Sequence, residues 1–115
     1  MAHVTFVAPW FAETTLRFVA ALGRLEGARL SVVSQDPPER IPEDLRAIVA
    51  DFVQVRDALD PKVIVRAVEE LGRRGPKVDL LLGTFEELQV PLGEAAEYLD
   101  PLFVPLPHGD ADEPS

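Results

Sequence analysis

Four short runs of apolar and β-branched residues alternate with stretches of helical spacing, and this alternation restricts the fold more than any other feature. The first run, His3 to Ala8, is halted by Pro9. The second spans Ala28 to Ser34, the third Asp51 to Val55 and the fourth Val78 to Leu82, which stops at Gly83. Such runs are apolar on both sides, the pattern of strands covered on both faces in a parallel sheet. Between them Leu16, Val19, Ala20 and Leu22 fall at helical spacing, with Thr14 or Thr15 as the cap and Gly23 as the stop. A short helix opens near Pro42, carrying Leu45, Ile48 and Val49. Asp60 followed by Pro61 marks a strong helix start, and Ile64, Ala67, Val68 and Leu71 form its apolar stripe before Gly72 and Gly75. Thr84 is positioned to cap a last helical region that Pro91 is expected to split, its second piece carrying Leu92, Ala95, Ala96 and Leu99. The order β-α-β-α-β-α-β-α predicts right-handed crossovers. It therefore predicts a Rossmann-like three-layer α/β domain: a four-stranded parallel sheet with helices on both faces.

The chain of 115 residues fits one domain. Cysteine is absent, which excludes disulfides, thiolate metal sites and cysteine nucleophiles. No apolar stretch approaches the ~18 residues of a membrane span, and the amino terminus lacks a secretory pattern, so a cytoplasmic protein is expected. A net charge of −9 disfavours nucleic acid as a partner. The charge is uneven: residues 100–115 hold four acidic groups, no basic ones and four of the eleven prolines. The expected division is a folded body over 1–99 and an acidic, proline-rich tail over 100–115, disordered from about His108 to Ser115.

In a parallel sheet, ligands bind beyond the carboxyl ends of the strands, here Ala8–Thr14, Ser34–Arg40, Arg56–Asp60 and Gly83–Glu87. The first of these turns, Ala8–Pro9–Trp10–Phe11, has no glycine and no Gly-Lys-Ser/Thr ending, which disfavours a dinucleotide fingerprint and a P-loop. Nor does it supply the acidic pair of a phosphorylated receiver domain. Trp10 and Phe11 read either as a cover for the edge of the core or as a surface for a ligand or neighbouring domain. Glu86 and Glu87 either answer a helix dipole or present a carboxylate to a polar substrate. His3 and His108 have no acidic or histidine cluster at ligand spacing, so no metal site is expected. Arg24, Arg73 and Arg74 read as a solvated helix surface.

Over residues 3–99 the body resembles the pre-ATP-grasp domain, the amino-terminal part of ATP-grasp carboxylate–amine ligases such as biotin carboxylase. The similarity rests on Ala8–Pro9, Leu16–Arg17–Phe18, Ala20–Ala21–Leu22, Ala28 to Ser34, Arg56 to Asp60 and Val78–Asp79–Leu80. It is completed by Thr84 to Leu92, similar to a Glu-x-Leu-Gln-Val-Pro-Leu segment of uncharacterised ATP-grasp proteins. The resemblance implies a domain that forms one wall of a substrate cleft, with Glu86, Pro9, Trp10 and Phe11 toward substrate. Relatives continue through a Gly-Ile-Pro-Gly linker into an Arg-Asp-Lys stretch. This chain instead reads Asp100 to Pro105, and Ala96 stands where uncharacterised members often carry arginine. A glycine-rich lid, nucleotide-binding lysines and magnesium carboxylates are missing. ATP and magnesium are thus expected only in a full-length relative, with no cofactor in this chain.

Two expectations follow. One is a truncated wall domain, inactive alone, whose partner is an ATP-grasp domain or ligase subunit. The other is a small interaction module, self-associating or binding a partner protein through Trp10, Phe11 and the apolar Leu102–Phe103–Val104 segment.

Overall fold

The computed structural model describes residues 2–83, 88–98 and 102–103. In chain order the elements are β1 (Ala2–Ala8), α1 (Glu13–Gly23), β2 (Ala28–Ser34) and α2 (Glu43–Arg46). They continue with β3 (Asp51–Gln54), α3 (Pro61–Arg74), β4 (Leu80–Leu82), α4 (Gln89–Tyr98) and β5 (Leu102–Phe103). The strands form one sheet in the order β3-β2-β1-β4-β5. Every pairing is parallel. The Rossmann-like α/β fold and its four expected strands are therefore present. A fifth strand was not expected: Leu102 and Phe103 pair with Leu80 and Leu81 along the open side of β4. The physical reason is that a parallel edge strand exposes unpaired backbone groups, and two apolar residues after α4 supply partners for them.

β1 alternates strictly between two cores. Val4, Phe6 and Ala8 pack with Val19, Leu30, Val32 and Leu82 on the face covered by α1. Val7 faces the other way and packs with Val33, Leu81 and the α3–α4 pair. The stripe expected on α3, Ile64, Ala67, Val68 and Leu71, is buried in that second core, and Leu92 and Ala95 of α4 join it. Burying a side chain such as Phe6 or Val7 contributes ~1.5–3 kcal/mol, so this double coverage dominates the stability of the domain. His3 is fully buried at the start of the strand. Its Nδ1–H donates to the Pro76 carbonyl at 2.8 Å, and its Nε2 lies 2.6 Å from the Ser31 hydroxyl. The backbone of His3 is held as well: its N–H donates to the Asp79 carboxylate and its carbonyl accepts the Asp79 N–H. These bonds take Asp79 away from β4, which starts at Leu80 and not at Val78.

The helix ends correct three sequence expectations. Neither Thr14 nor Thr15 caps α1: the cap position is Ala12, without a side-chain bond, and Thr15 is buried in the first turn. α3 runs through Gly72 and ends at Arg74, with the expected Gly75, and not Gly72, at its carboxyl cap. Pro91 does not split α4, because the helix begins at Gln89 and places Pro91 in its first turn. An N–H there has no intrahelical acceptor, so proline costs nothing. The Asp60–Pro61 start forms as expected, with the Asp60 carboxylate accepting the Lys62 N–H at 2.9 Å. Thr84, Glu87, Leu99 and the tail from His108 to Ser115 lie outside the described residues.

At the β3 edge, Arg74 is more than solvated surface. Its guanidinium reaches back across the edge strand, bonding Asp51 at 3.0 Å, the Phe52 carbonyl at 3.2 Å and Glu70 at 3.1 Å. Asp51 also accepts the Phe52 N–H at 2.8 Å. Both backbone polar groups of Phe52 are thereby taken by side chains, a charged block against strand addition. Arg73, then Arg74, bonds the Glu70 carboxylate and holds its pKa below the usual glutamate value. The folded state therefore binds that proton less readily than the unfolded chain. The resulting stability is present above the unfolded-state pKa and is lost as pH falls through the lower folded-state pKa. Urea unfolding across the acid range is expected to show this loss for the wild type and a shallower pH dependence for Glu70→Gln; equal slopes would refute it.

Candidate functional site

In the order β3-β2-β1-β4-β5 the chain leaves β1 toward one side and passes to the other after β3, which makes the β1–β4 junction the switch point of the sheet. The carboxyl ends of β1 and β4 border that junction, followed by Pro9–Trp10–Phe11 and by Gly83. Gly83 is required by close approach: a Cβ there would lie 2.7 Å from Leu92 Cδ1, 2.9 Å from Leu88 Cδ1 and 3.3 Å from the Val7 carbonyl. The fully buried Leu88 and Leu92 thus pack directly onto the strand end. Gln89, beside them, donates from Nε2 to the Gly83 carbonyl at 3.1 Å.

The loops along this edge are tied to one another by their own polar groups. The Pro9 carbonyl accepts the Gln35 N–H at 3.0 Å and the Ser34 hydroxyl at 3.3 Å. Ser34 Oγ in turn accepts the Asp36 N–H, and the Asp36 carboxylate accepts the Phe11 N–H at 3.0 Å. Arg40 stands 4.0 Å from the same carboxylate. Toward β3, Gln35 accepts the Ala58 N–H through its side chain and the Gln54 amide through its carbonyl. Three successive strand ends, β1, β2 and β3, are stitched into one rim.

This stitching has a chemical consequence. In a dinucleotide or phosphate site the first turn offers free backbone N–H groups to an anion. In this chain the Phe11 N–H is already bonded to an anion of the protein's own, Asp36. A phosphate brought to this turn would meet a carboxylate, and like charges at contact distance repel.

The site residues expected from the sequence fare differently. Pro9 is buried in the rim. Phe11 is half-buried, tilted against Phe52 with ring centroids 6.3 Å apart, and so covers the edge of the α1-side core. Trp10 is 45% exposed. Leu102 and Phe103 form β5, whereas Glu86 and Val104 lie outside the described residues. Sequence reasoning missed two apolar residues on the same edge: Leu59, after β3, is 36% exposed, and Val90, in the first turn of α4, is 69% exposed. It also missed Gln35 and Asp36, because nothing local to either residue announces a partner on a neighbouring strand end. Among the described residues no group of three or more histidine, cysteine, aspartate or glutamate side chains is placed to hold a metal. No helix is long and apolar enough to cross a membrane, among the same residues.

Comparison of the sequence with protein-family models and with curated proteins finds no match.

Two substitutions test the rim. Gly83→Ala is expected to cost ~1–3 kcal/mol, because the Val7 backbone cannot retreat and two core leucines must shift. Asp36→Ala removes the acceptor of the Phe11 N–H and is expected to cost ~1–3 kcal/mol. Denaturant midpoints at constant slope measure both, and an unchanged midpoint in either variant would contradict the role assigned to that residue.

Proposed function

We propose that this chain is a non-catalytic wall domain of an ATP-grasp ligase-type protein, which packs the carboxyl edge of its sheet against an ATP-grasp domain or ligase subunit. One observation carries the reading: Trp10, Leu59 and Val90 are exposed along an edge whose backbone groups are bonded internally. A catalytic edge needs polar groups free to meet a substrate, whereas a wall needs apolar side chains that gain by being covered. Large aromatic side chains are the groups that anchor such contacts. The resemblance in sequence order from Ala8–Pro9 to Leu92 names the kind of neighbour, and it is the neighbour that brings ATP and magnesium to the cleft. In this reading Glu86 and Trp10 face the substrate cleft without taking part in bond making, while Pro9, buried, and Phe11, packed on Phe52, hold the turn that carries Trp10.

Two measurements test it. Calorimetric titration of the chain with ATP and magnesium is expected to show no binding; a micromolar dissociation constant would overturn the proposal. An ATP-grasp fragment deprived of its own amino-terminal domain is expected to bind this chain, and Trp10→Glu to weaken that binding about tenfold or more. Failure of the fragment to bind, or binding indifferent to Trp10→Glu, would reject the wall assignment.

A further inference from the structure

A second surface lies at the opposite end of the rim, and it does not depend on the function proposed above. Between the edge strand β3 and helix α3 runs a groove floored by Val53, Val55, Val63 and Ala67 and flanked by Arg56 and Arg66. Glu70 lines its far end, where its pairing with Arg73 and Arg74 answers its charge. Arg56 and Arg66 are exposed and, among the described residues, make no hydrogen bond or ion pair. Among the described residues Arg17, Arg40, Arg73 and Arg74 stand against carboxylates, whereas Arg24, Arg29 and Arg46 share the lack of an ion pair with Arg56 and Arg66; what sets Arg56 and Arg66 apart is that both line one apolar groove. Of the nearby carboxylates, Asp60 caps α3 and Asp57 accepts the Leu59 N–H at 3.0 Å, while the exposed Glu69 makes no hydrogen bond or ion pair among the described residues.

An apolar floor flanked by two uncommitted guanidiniums fits one chemistry, an apolar body bearing carboxylates. Guanidinium pairs with carboxylate in a planar, two-bond arrangement and holds that geometry better than an ammonium group. At Phe52 the occupant gains nothing by extending the sheet, because Asp51 and Arg74 already bond both backbone groups of that residue. Recognition there rests on side chains: apolar ones on the valine floor and acidic ones at the rim.

We propose that the β3–α3 groove is a docking site for an acidic, apolar-containing extended peptide segment of a partner protein, with Arg56 and Arg66 pairing its carboxylates. The full chain, labelled with nitrogen-15, would be titrated with a synthetic peptide of about ten residues alternating valine and glutamate, spanning roughly 33 Å when extended. The expected result is a set of shifts confined to the amides of Val53, Val55, Val63, Arg66 and Ala67, weakening as salt is raised. In R56E/R66E the affinity is expected to fall about tenfold or more. The matched double variant R24E/R46E, with equal charge change on exposed residues outside the groove, is expected to bind as the wild type does. Circular dichroism and the unfolding midpoint confirm that both variants are folded.

Absence of shifts at about 1 mM peptide, a dissociation constant beyond the range of weak specific binding, would overturn the proposal. So would shifts centred elsewhere, or an equal loss in R24E/R46E, which would mark a general charge effect. Octanoate producing the same shifts at the same concentration would assign the groove to small amphiphilic carboxylates instead. Binding seen only after removal of residues 104–115 would assign it to the chain's own acidic segment. Either of these results rejects a partner-supplied peptide.

Discussion

The structure depends on β1 being covered on both faces and paired on both sides. Every residue from His3 to Ala8 is buried, and the strand pairs with β2 along its whole length and with β4 over Val4 to Phe6. A strand in that position has no solvent face, so each of its side chains must find a partner inside. Val4, Phe6, Val7 and Ala8 do so by apolar packing and His3 by bonding Pro76 and Ser31 through its two ring nitrogens, whereas the buried Thr5 hydroxyl has no hydrogen-bond partner among the described residues. Because the strand is central, its carboxyl end cannot be adjusted without disturbing both cores. This explains why the turn after it is stitched to its neighbours and why Gly83 must let two leucines come so close.

The stitching separates two roles that a Rossmann-like sheet can serve at the same edge. A nucleotide-binding sheet leaves backbone N–H groups of the first turn unspent and uses glycine to bring them near a phosphate. This sheet spends the Phe11 N–H on Asp36 and the Pro9 carbonyl on Ser34 and Gln35, and leaves apolar side chains outside. The exchange rigidifies the rim and lowers its affinity for anions, while Trp10, Leu59 and Val90 retain surface whose burial is favourable.

Much of the fold was legible because it is encoded by periodicity. β2 was delimited to the residue, the α3 stripe was named residue by residue, and the Asp60–Pro61 start has a local mechanism that tertiary packing did not override. What escaped were features that depend on partners far apart in sequence. Asp79 reads as strand but is drawn out of β4 by His3, 76 positions earlier. Thr14 and Thr15 read as caps, yet α1 starts at Glu13 and leaves both inside its first turn. Arg74 reads as a surface charge, because nothing local to it announces Asp51 across the edge strand. The candidate site was legible in part: the Trp10–Phe11 pair stood out, but the two side chains part company, one covering the core and the other left at the surface. Leu59 and Val90 carried no signal, since single apolar residues in a turn and a first helical turn are ordinary in sequence.

The two surfaces at the ends of the rim also differ in how they select. At the strand-end edge the exposed groups are apolar, so association there scales with the area covered and is weakly sensitive to salt. At the β3 groove the apolar floor is small and two guanidiniums stand at its rim, so discrimination there rests on charge placement. The Arg74–Asp51 block sharpens that discrimination: at Phe52 it leaves nothing to gain for a strand that would bind by backbone alone. A chain of net charge −9 repels acidic partners at long range, and only a partner that seats carboxylates against both Arg56 and Arg66 recovers that cost. Selectivity at this groove is therefore built from a general repulsion and one local exception to it.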